Sequence, residues 1–390
     1  MKKGIVPNRI NQARLSREMS MVDLANFLEV TSQAISQYEQ GKIAPKPAIL
    51  NRMSEILDYP VEFFYKEFEP VRSAASPVLF RSGKTASVKS KNACVEKIKI
   101  FCEVREFLST YIDFPMIQLP VVEKYIHEHL NISDIEELAI TLREHWRLGL
   151  SPINNLLGEM EKRGVSISTL SLKVNKIDGF SQWINEKPII LIGSANKSNA
   201  RIRFTAAHEM AHLLLHADKS NIDDESLSPS ERKRLNDQFE DEANLFAGAF
   251  LLPAESFKKD IYSTSLDHFI QLKAKWKVSI SAMIKRCESL GILTENQLKY
   301  LKDQMTGKKY WHKEPLDNMP TEKPVACKQA IHLLMDNGVI TTYDIINKTG
   351  ISLSEMEGYC FLESGYFDIP DSGNIINFVP KLHVFNDKKG

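Results

Sequence analysis

A chain of 390 residues has room for about two or three domains, and its 50 basic side chains are matched by 50 acidic ones, so any nucleic-acid-binding surface must be local. No apolar run approaches the ~18 residues of a membrane span, and Met1-Lys-Lys-Gly-Ile-Val-Pro7 lacks a signal-peptide core, which predicts a cytoplasmic protein without membrane contact. Cys94, Cys102, Cys287, Cys327 and Cys360 are widely spaced and odd in number, which fits reduced thiols and argues against a disulfide framework or a zinc cluster. Over residues 1–70, Ile10, Leu15, Leu24, Leu28, Ile35, Leu50, Met53 and Leu57 recur at helical intervals, predicting about four or five short helices on a small core. Ser20 is an N-cap for a helix over 21–28, with Asp23 completing a capping box. Thr31 opens the next helix, over 32–39, which Gly41 closes.

Two short helices across a tight turn, the second rich in Ser and Gln, have the layout of a helix-turn-helix. The segment resembles the lambda-repressor-like (XRE) helix-turn-helix family through Arg9, Arg14, Ser20, Leu24-Ala25, Leu28, Val30-Thr31, Ile35-Ser36, Tyr38-Glu39, Gly41, Pro45 and Leu50, over nearly all of 8–64. The resemblance implies that Gln33 and Gln37 face base edges in the major groove, with Ser32, Ser36, Lys42 and Arg14 on phosphates. It also implies a homodimer reading two half-sites of a double-stranded operator. The alternative is a helical docking module without DNA contacts.

Ser73–Pro77 and Ser82–Lys91 are small, polar and basic, and predict a linker over 71–92 that either brushes DNA backbone or is a plain tether. An amphipathic helix is expected over 93–110, with others near 121–130, 134–146 and 152–163. Val165–Val174 and Lys187–Gly193 read as strands, with turns at Asp178-Gly179 and Asn185. A short sheet there would align an extended peptide by strand addition.

Thr205-Ala-Ala-His208-Glu209-Met-Ala-His212-Leu-Leu-Leu-His216 reads as a buried helix bearing His-Glu-x-x-His. Four helical residues advance about 6 Å and turn about 400°, so His208 and His212 share a face and can both reach one Zn2+ at about 2.0–2.1 Å. Glu209, about 100° around the helix, stands beside the metal, where a general base for an attacking water belongs. His216 lies about 12 Å along the axis from His208, too far to share the ion. A hydrolytic zinc keeps three protein ligands, and the third is sought downstream. In Phe239–Pro253, apolar residues repeat at helical spacing; Glu240 is the candidate ligand and Asn244 an outer hydrogen-bond partner, with Glu242, turned toward solvent, as runner-up.

Arg203-Phe-Thr205-Ala-Ala-His208-Glu-x-x-His212-x-x-x-His216, then Glu240-x-x-Ala243-Asn244-x-Phe246-Ala247 and Leu251-Leu-Pro253, resembles the ImmA/IrrE family of metallopeptidases. The likeness reaches upstream to Leu142-Arg-x-x-Trp146-x-Leu148-Gly and Ile177-Asp-Gly-Phe180-Ser, covering about 140–255. It implies a zincin-type fold, two His and one Glu on zinc, and cleavage of a partner repressor.

Residues 218–236 are expected to form a loop between the ligand-bearing helices. Leu266–Leu301 reads as short helices, of which Trp276–Ile284 is either a second DNA reader or support for the catalytic domain; further helices are expected over 326–334, 342–348 and 352–360. The fold expected is mainly α with a small β-sheet (α+β). It divides into a five-helix reader at 1–70, the linker at 71–92, a metallopeptidase domain at 93–260 and a helical region at 261–390. The expected function is transcriptional regulation by a reader fused to an endopeptidase using Zn2+, or another divalent ion such as Mn2+, that cuts a repressor or its own chain at 72–91. The rival is a non-enzymatic regulator whose metal domain only senses a peptide, which would have no need of Glu209.

Overall fold

Proline and capping residues set the limits of four short helices: α1 (Pro7–Ser16), α2 (Met21–Leu28), α3 (Ser32–Glu39) and α4 (Pro47–Leu57). They belong to a computed structural model that describes residues 4–67, 80–82, 87–120, 122, 130–170, 177–193, 197–217 and 227–368. Pro7 and Pro47 stand in first turns, where a missing N–H costs nothing. Ser20 forms the capping box with Asp23, and Thr31 accepts from the Ala34 amide. The fifth expected helix is a 3-10 turn, Val61–Tyr65, whose Phe63 and Phe64 close the small core around Ile10, Leu24, Ile35 and Met53.

The expected linker is not a tether throughout. A 22-residue helix, α5 (Val88–Ser109), starts within it because Ser87 caps it by accepting from the Ser90 amide. Ile98 and Phe101 of α5 share one core with α1 and the 3-10 turn, and the Arg9 guanidinium donates to Glu103 at 2.7 Å. A short strand, β1 (Phe80–Ser82), also comes from this segment; 71–79 and 83–86 lie outside the described residues.

The sheet adds β2 (Ser166–Leu170), β3 (Ile177–Ile184) and β4 (Lys187–Gly193), in the order β1-β3-β4-β2. β3 and β4 form an antiparallel hairpin through Asn185 and Glu186, both at positive φ as a two-residue turn between twisted strands requires. β2 runs parallel to β4, and β1 antiparallel to β3. The expected turn at Asp178-Gly179 is instead part of β3, where Gly179 pairs with Ile192. Its missing side chain serves close packing, since a Cβ there would lie 2.5 Å from Thr205 Cγ2 and 2.7 Å from Glu209 Oε1.

β4 is apolar on both faces because helices cover both. Ile190 and Ile192 join a core with α6 (Ile132–His145), α7 (Leu156–Glu161), α8 (Asn199–Leu215) and α9 (Pro229–Leu251). That core continues through α10 (Ala254–Asp260), α11 (Leu266–Trp276), α12 (Ile280–Ser289) and α13 (Glu295–Gly307). Ile189 and Leu191 face α5 and the last helices, α14 (Ala326–Asp336), α15 (Thr342–Thr349) and α16 (Leu353–Cys360). The C-terminal region thus divides between the two sides of the sheet. Its final helices clasp the N-terminal unit: Arg17 donates to Glu355 at 2.5 Å, and a Cβ on Gly350 would lie 2.7 Å from Phe63 Cα.

Two further expectations shift. α9 starts at Pro229, inside the expected loop, because Ser228 and Glu231 form a capping box; 218–226 lie outside the described residues, as does most of the helix expected at 121–130. The helix expected over 152–163 is limited to Leu156–Glu161. Among the described residues no helix is long and apolar enough to cross a membrane.

Arg143 of α6 is fully buried and donates to the carbonyls of Gly149, Ser151 and Phe250, fastening α6 to the end of α9. Arg143→Leu strands those acceptors in the core and is expected to cost about 3 kcal/mol or more, read as a fall in the urea midpoint with an unchanged slope.

Candidate metal centre and nucleic-acid interface

Ser198 caps α8, which is buried on every side from Thr205 to Leu215, so its polar side chains must find partners inside the protein. His208 and His212, one turn apart, bring their Nε2 atoms to 3.0 Å. α9 packs against this face and sets Glu240 Oε2 at 3.4 Å from His208 Nε2, with Oε1 at 3.6 Å from His212 Nε2. The three residues form a group able to hold a metal ion.

The donor set fits a divalent cation. Asn244 Oδ1 lies 3.2 Å from His208 Nδ1, which as donor leaves His208 Nε2 with a lone pair. The 3.0 Å between the imidazole nitrogens and the 3.4 and 3.6 Å from them to the two Glu240 oxygens lie near the edges, about 3.3 Å, of a tetrahedron of bonds near 2.05 Å. Glu240 Oε1 is buried without a hydrogen-bond partner. Burial raises the Glu240 carboxyl, but the imidazoles of His208 and His212 outweigh it and hold the group well below the usual carboxylate range.

Glu209 is fully buried between α8 and β3, where the Ser181 hydroxyl donates to its Oε2 at 2.8 Å. Ser181 and Gly179, which meet Glu209 from the sheet, are legible in the sequence only as part of a family motif and a turn, with no role at the site. Their signal was the Asp178-Gly-Phe-Ser181 run, which carries no metal-ligand chemistry of its own. Lys197 and Arg201 each pair with Asp178 at 2.7 Å and anchor this end of β3 to the start of α8.

His216 is not among the three grouped donors: its Nδ1 lies 2.8 Å from His212 Nδ1, on the side of that ring away from His208. Glu242 corrects the expectation of a solvent-facing runner-up. It is 4% exposed, with Oε2 at 3.0 Å from His216 Nε2, because α9 turns this side toward the end of α8, where Phe239 stacks on His216.

In the N-terminal unit Ser32, Gln33 and Lys42 are exposed at and just beyond α3, and Ser36 and Gln37 are half-buried on it. Arg14 is elsewhere. It is 5% exposed and spends Nε and Nη2 on Glu39 at 2.6 and 2.8 Å and Nη1 on the Met19 carbonyl. The expectation that it holds phosphate is corrected: it ties α1 to α3.

Residues 10–64 match the helix-turn-helix family model, and residues 160–288 match that of the IrrE N-terminal-like domain of peptidase family M78. The chain joins a helix-turn-helix domain to an IrrE-like domain. The IrrE-like match contains the whole His208/His212/Glu240 cluster, which is consistent with a zinc site, and runs past residue 260 through α11 and most of α12. The helix-turn-helix domain implies DNA binding. Multiprotein-bridging factor 1c of Arabidopsis thaliana is 40% identical over 55 residues, 14% of this chain. The match spans only 37% of that relative's length. A Mycobacterium tuberculosis transcriptional regulator of known structure is 19% identical with a TM-score of 0.29, over 48% of this chain and 51% of that one.

Two outcomes follow from these placements. Metal analysis of the purified chain is expected to find about one divalent ion per chain, lost in His208→Ala. Arg14→Ala leaves the buried Glu39 carboxylate without its cation, with only the Asn11 amide on it, and is expected to destabilise the helix-turn-helix domain by about 3 kcal/mol in thermal unfolding, whereas Lys42→Ala leaves stability unchanged within about 0.5 kcal/mol.

Proposed function

We propose that this regulator sits on a double-stranded operator as a homodimer and that its IrrE-like domain is a zinc-dependent endopeptidase that cuts a repressor, either a separate protein or its own chain. The observation that carries the reading is a fully buried carboxylate, Glu209, on the same helix as two metal-grade imidazoles and oriented by Ser181. A pure sensor has no use for that carboxylate.

His208, His212 and Glu240 would hold Zn2+, or another divalent ion such as Mn2+, and a bound ion supplies Lewis-acid polarisation of the scissile carbonyl. Glu209 takes the proton of the attacking water and hands it to the leaving amine. Ser181, by donating to Oε2, aims the carboxylate. Asn244 fixes the ring of His208 through Nδ1. On the sheet side, the absence of a side chain at Gly179 leaves backbone close to Glu209.

The antiparallel pairing of Phe80–Ser82 with β3, in register with Phe180, Gly179 and Ile177, favours an extended peptide held along this edge by strand addition. The paired segment comes from the stretch expected to be cut in cis, which favours the chain itself as substrate. At the operator, Gln33 and Gln37 would read base edges, and Ser32, Ser36 and Lys42 would sit on phosphates.

Glu209→Gln is expected to keep its metal and to lose cleavage by about 10²-fold or more, read by mass analysis of the zinc-loaded chain alone and with candidate repressors. If no fragment depends on Glu209 under inducing conditions, and Glu209→Gln derepresses the promoter as well as wild type does, the peptidase reading falls and sensing replaces it. Lys42→Ala is expected to weaken operator binding equally across sequences and to lower the salt slope by about 1.

A further inference from the structure

Behind His212, on the side away from His208 and Glu240, lies a chain of contacts that the cleavage chemistry does not use. His212 Nδ1 is 2.8 Å from His216 Nδ1, and His216 Nε2 is 3.0 Å from Glu242 Oε2. Gln238 Nε2 donates to Glu242 Oε1 at 2.7 Å. The His216 ring stacks on Phe239 with centroids 4.4 Å apart and planes 19° from parallel, so it cannot turn without breaking that contact.

We propose that Glu242 and His216 are positioning residues that fix which nitrogen of His212 carries the proton, so that Nε2 is presented as a lone pair to the metal. A nitrogen that ligates a metal carries no hydrogen, so a His212 that presents Nε2 to the metal beside His208 and Glu240 carries its one hydrogen on Nδ1, against His216 Nδ1. His216 Nδ1 then accepts, and a neutral imidazole that accepts through one nitrogen donates through the other, so His216 donates through Nε2 to Glu242 Oε2. With Nε2 of His212 bare, no other order places one hydrogen in each of the two contacts.

The two metal-facing imidazoles are therefore held differently. His208 leans on the neutral amide of Asn244 at 3.2 Å, whereas His212 is backed, through His216, by a buried carboxylate. Hydrogen bonding of this kind to the far nitrogen orients a ligand ring and raises its basicity. The helix that supplies the carboxylate ligand also supplies this brace, since Glu240 and Glu242 both lie on α9.

The inference rests on the metal site proposed above and is tested by metal affinity and by proton position, not by proteolysis. Zinc affinity of the full chain would be measured by competition with a chromophoric chelator for wild type, His216→Phe, Glu242→Leu and the double variant. His216→Phe retains an aromatic ring against Phe239. Each single change is expected to weaken zinc binding about 10–100-fold, and the double change no more than the worse single, because both act through one chain. In the zinc-loaded wild type labelled with 15N-histidine, His216 is expected to carry its ring proton on Nε2 alone. Variants that unfold at the wild-type midpoint without metal yet bind zinc within about threefold of wild type would overturn the proposal. So would a His216 proton on Nδ1, a result that needs no variant to fold. A wild type that takes up no zinc removes the metal site and this inference together; a zinc-binding chain that cuts nothing removes only the peptidase reading.

Discussion

Burying an unpaired polar group costs about 1–3 kcal/mol, more for a charge, and the facing sides of α8 and α9 bury several such groups. They are stable there only because each meets another: His208 with Asn244, His212 with His216, His216 with Glu242, Glu209 with Ser181. The pairing needs α9 to pass α8 in one register, with Asn244 beside His208 and Glu240 reaching both His208 and His212. A slip of α9 by one helical turn would break His208–Asn244 and His216–Glu242 together. Fixing α9 is therefore the structural task, and Arg143 on the Phe250 carbonyl together with the two-sided core around Ala243, Phe246 and Ala247 performs it.

The sheet between the two cores changes the picture of a reader on a flexible lead. β4 presents Ile190 and Ile192 to the metal-side helices and Ile189 and Leu191 to α5, and α5 shares its core with the helix-turn-helix domain. Glu209 touches β3, β3 buries Phe180 and Ile184 against the α5 side, and the C-terminal helices lock onto Arg17 and Phe63. A tether over 71–92 thus gives way, from Val88 onward, to fixed geometry. Phe80–Ser82, from the segment proposed to be cut in cis, lies at the β3 edge as a strand.

What was legible in the sequence follows from whether its cause was local. α2, α3 and β4 have the limits expected because a capping serine, a capping threonine and a Pro/Gly-bounded apolar run act within a few residues. Glu240 and Asn244 were legible because a metal demands a third donor, and helical spacing leaves few places for it. Three misreadings share the opposite cause. Asp178-Gly179 has turn composition, but the glycine is there for the approach of Thr205 and Glu209 from another element. Arg14 looks like a phosphate ligand until Glu39, 25 residues on, claims it. Glu242 looks solvent-facing until the end of α8 is laid against it.

The same reasoning bears on what kind of metal site this is. A structural zinc closes with four ligands and favours thiolates, and the chain has five cysteines it could have used. All five are buried and none belongs to the cluster, and burial pushes Cys94, Cys102 and Cys287 up to about 12, which keeps them protonated and poor ligands near neutrality. Among the described residues the group able to hold an ion contains two imidazoles and one carboxylate, the donor count of a catalytic centre with one corner left for a reactant. Burying Glu209 beside such a corner costs stability, a cost that the proposed cleavage chemistry would account for.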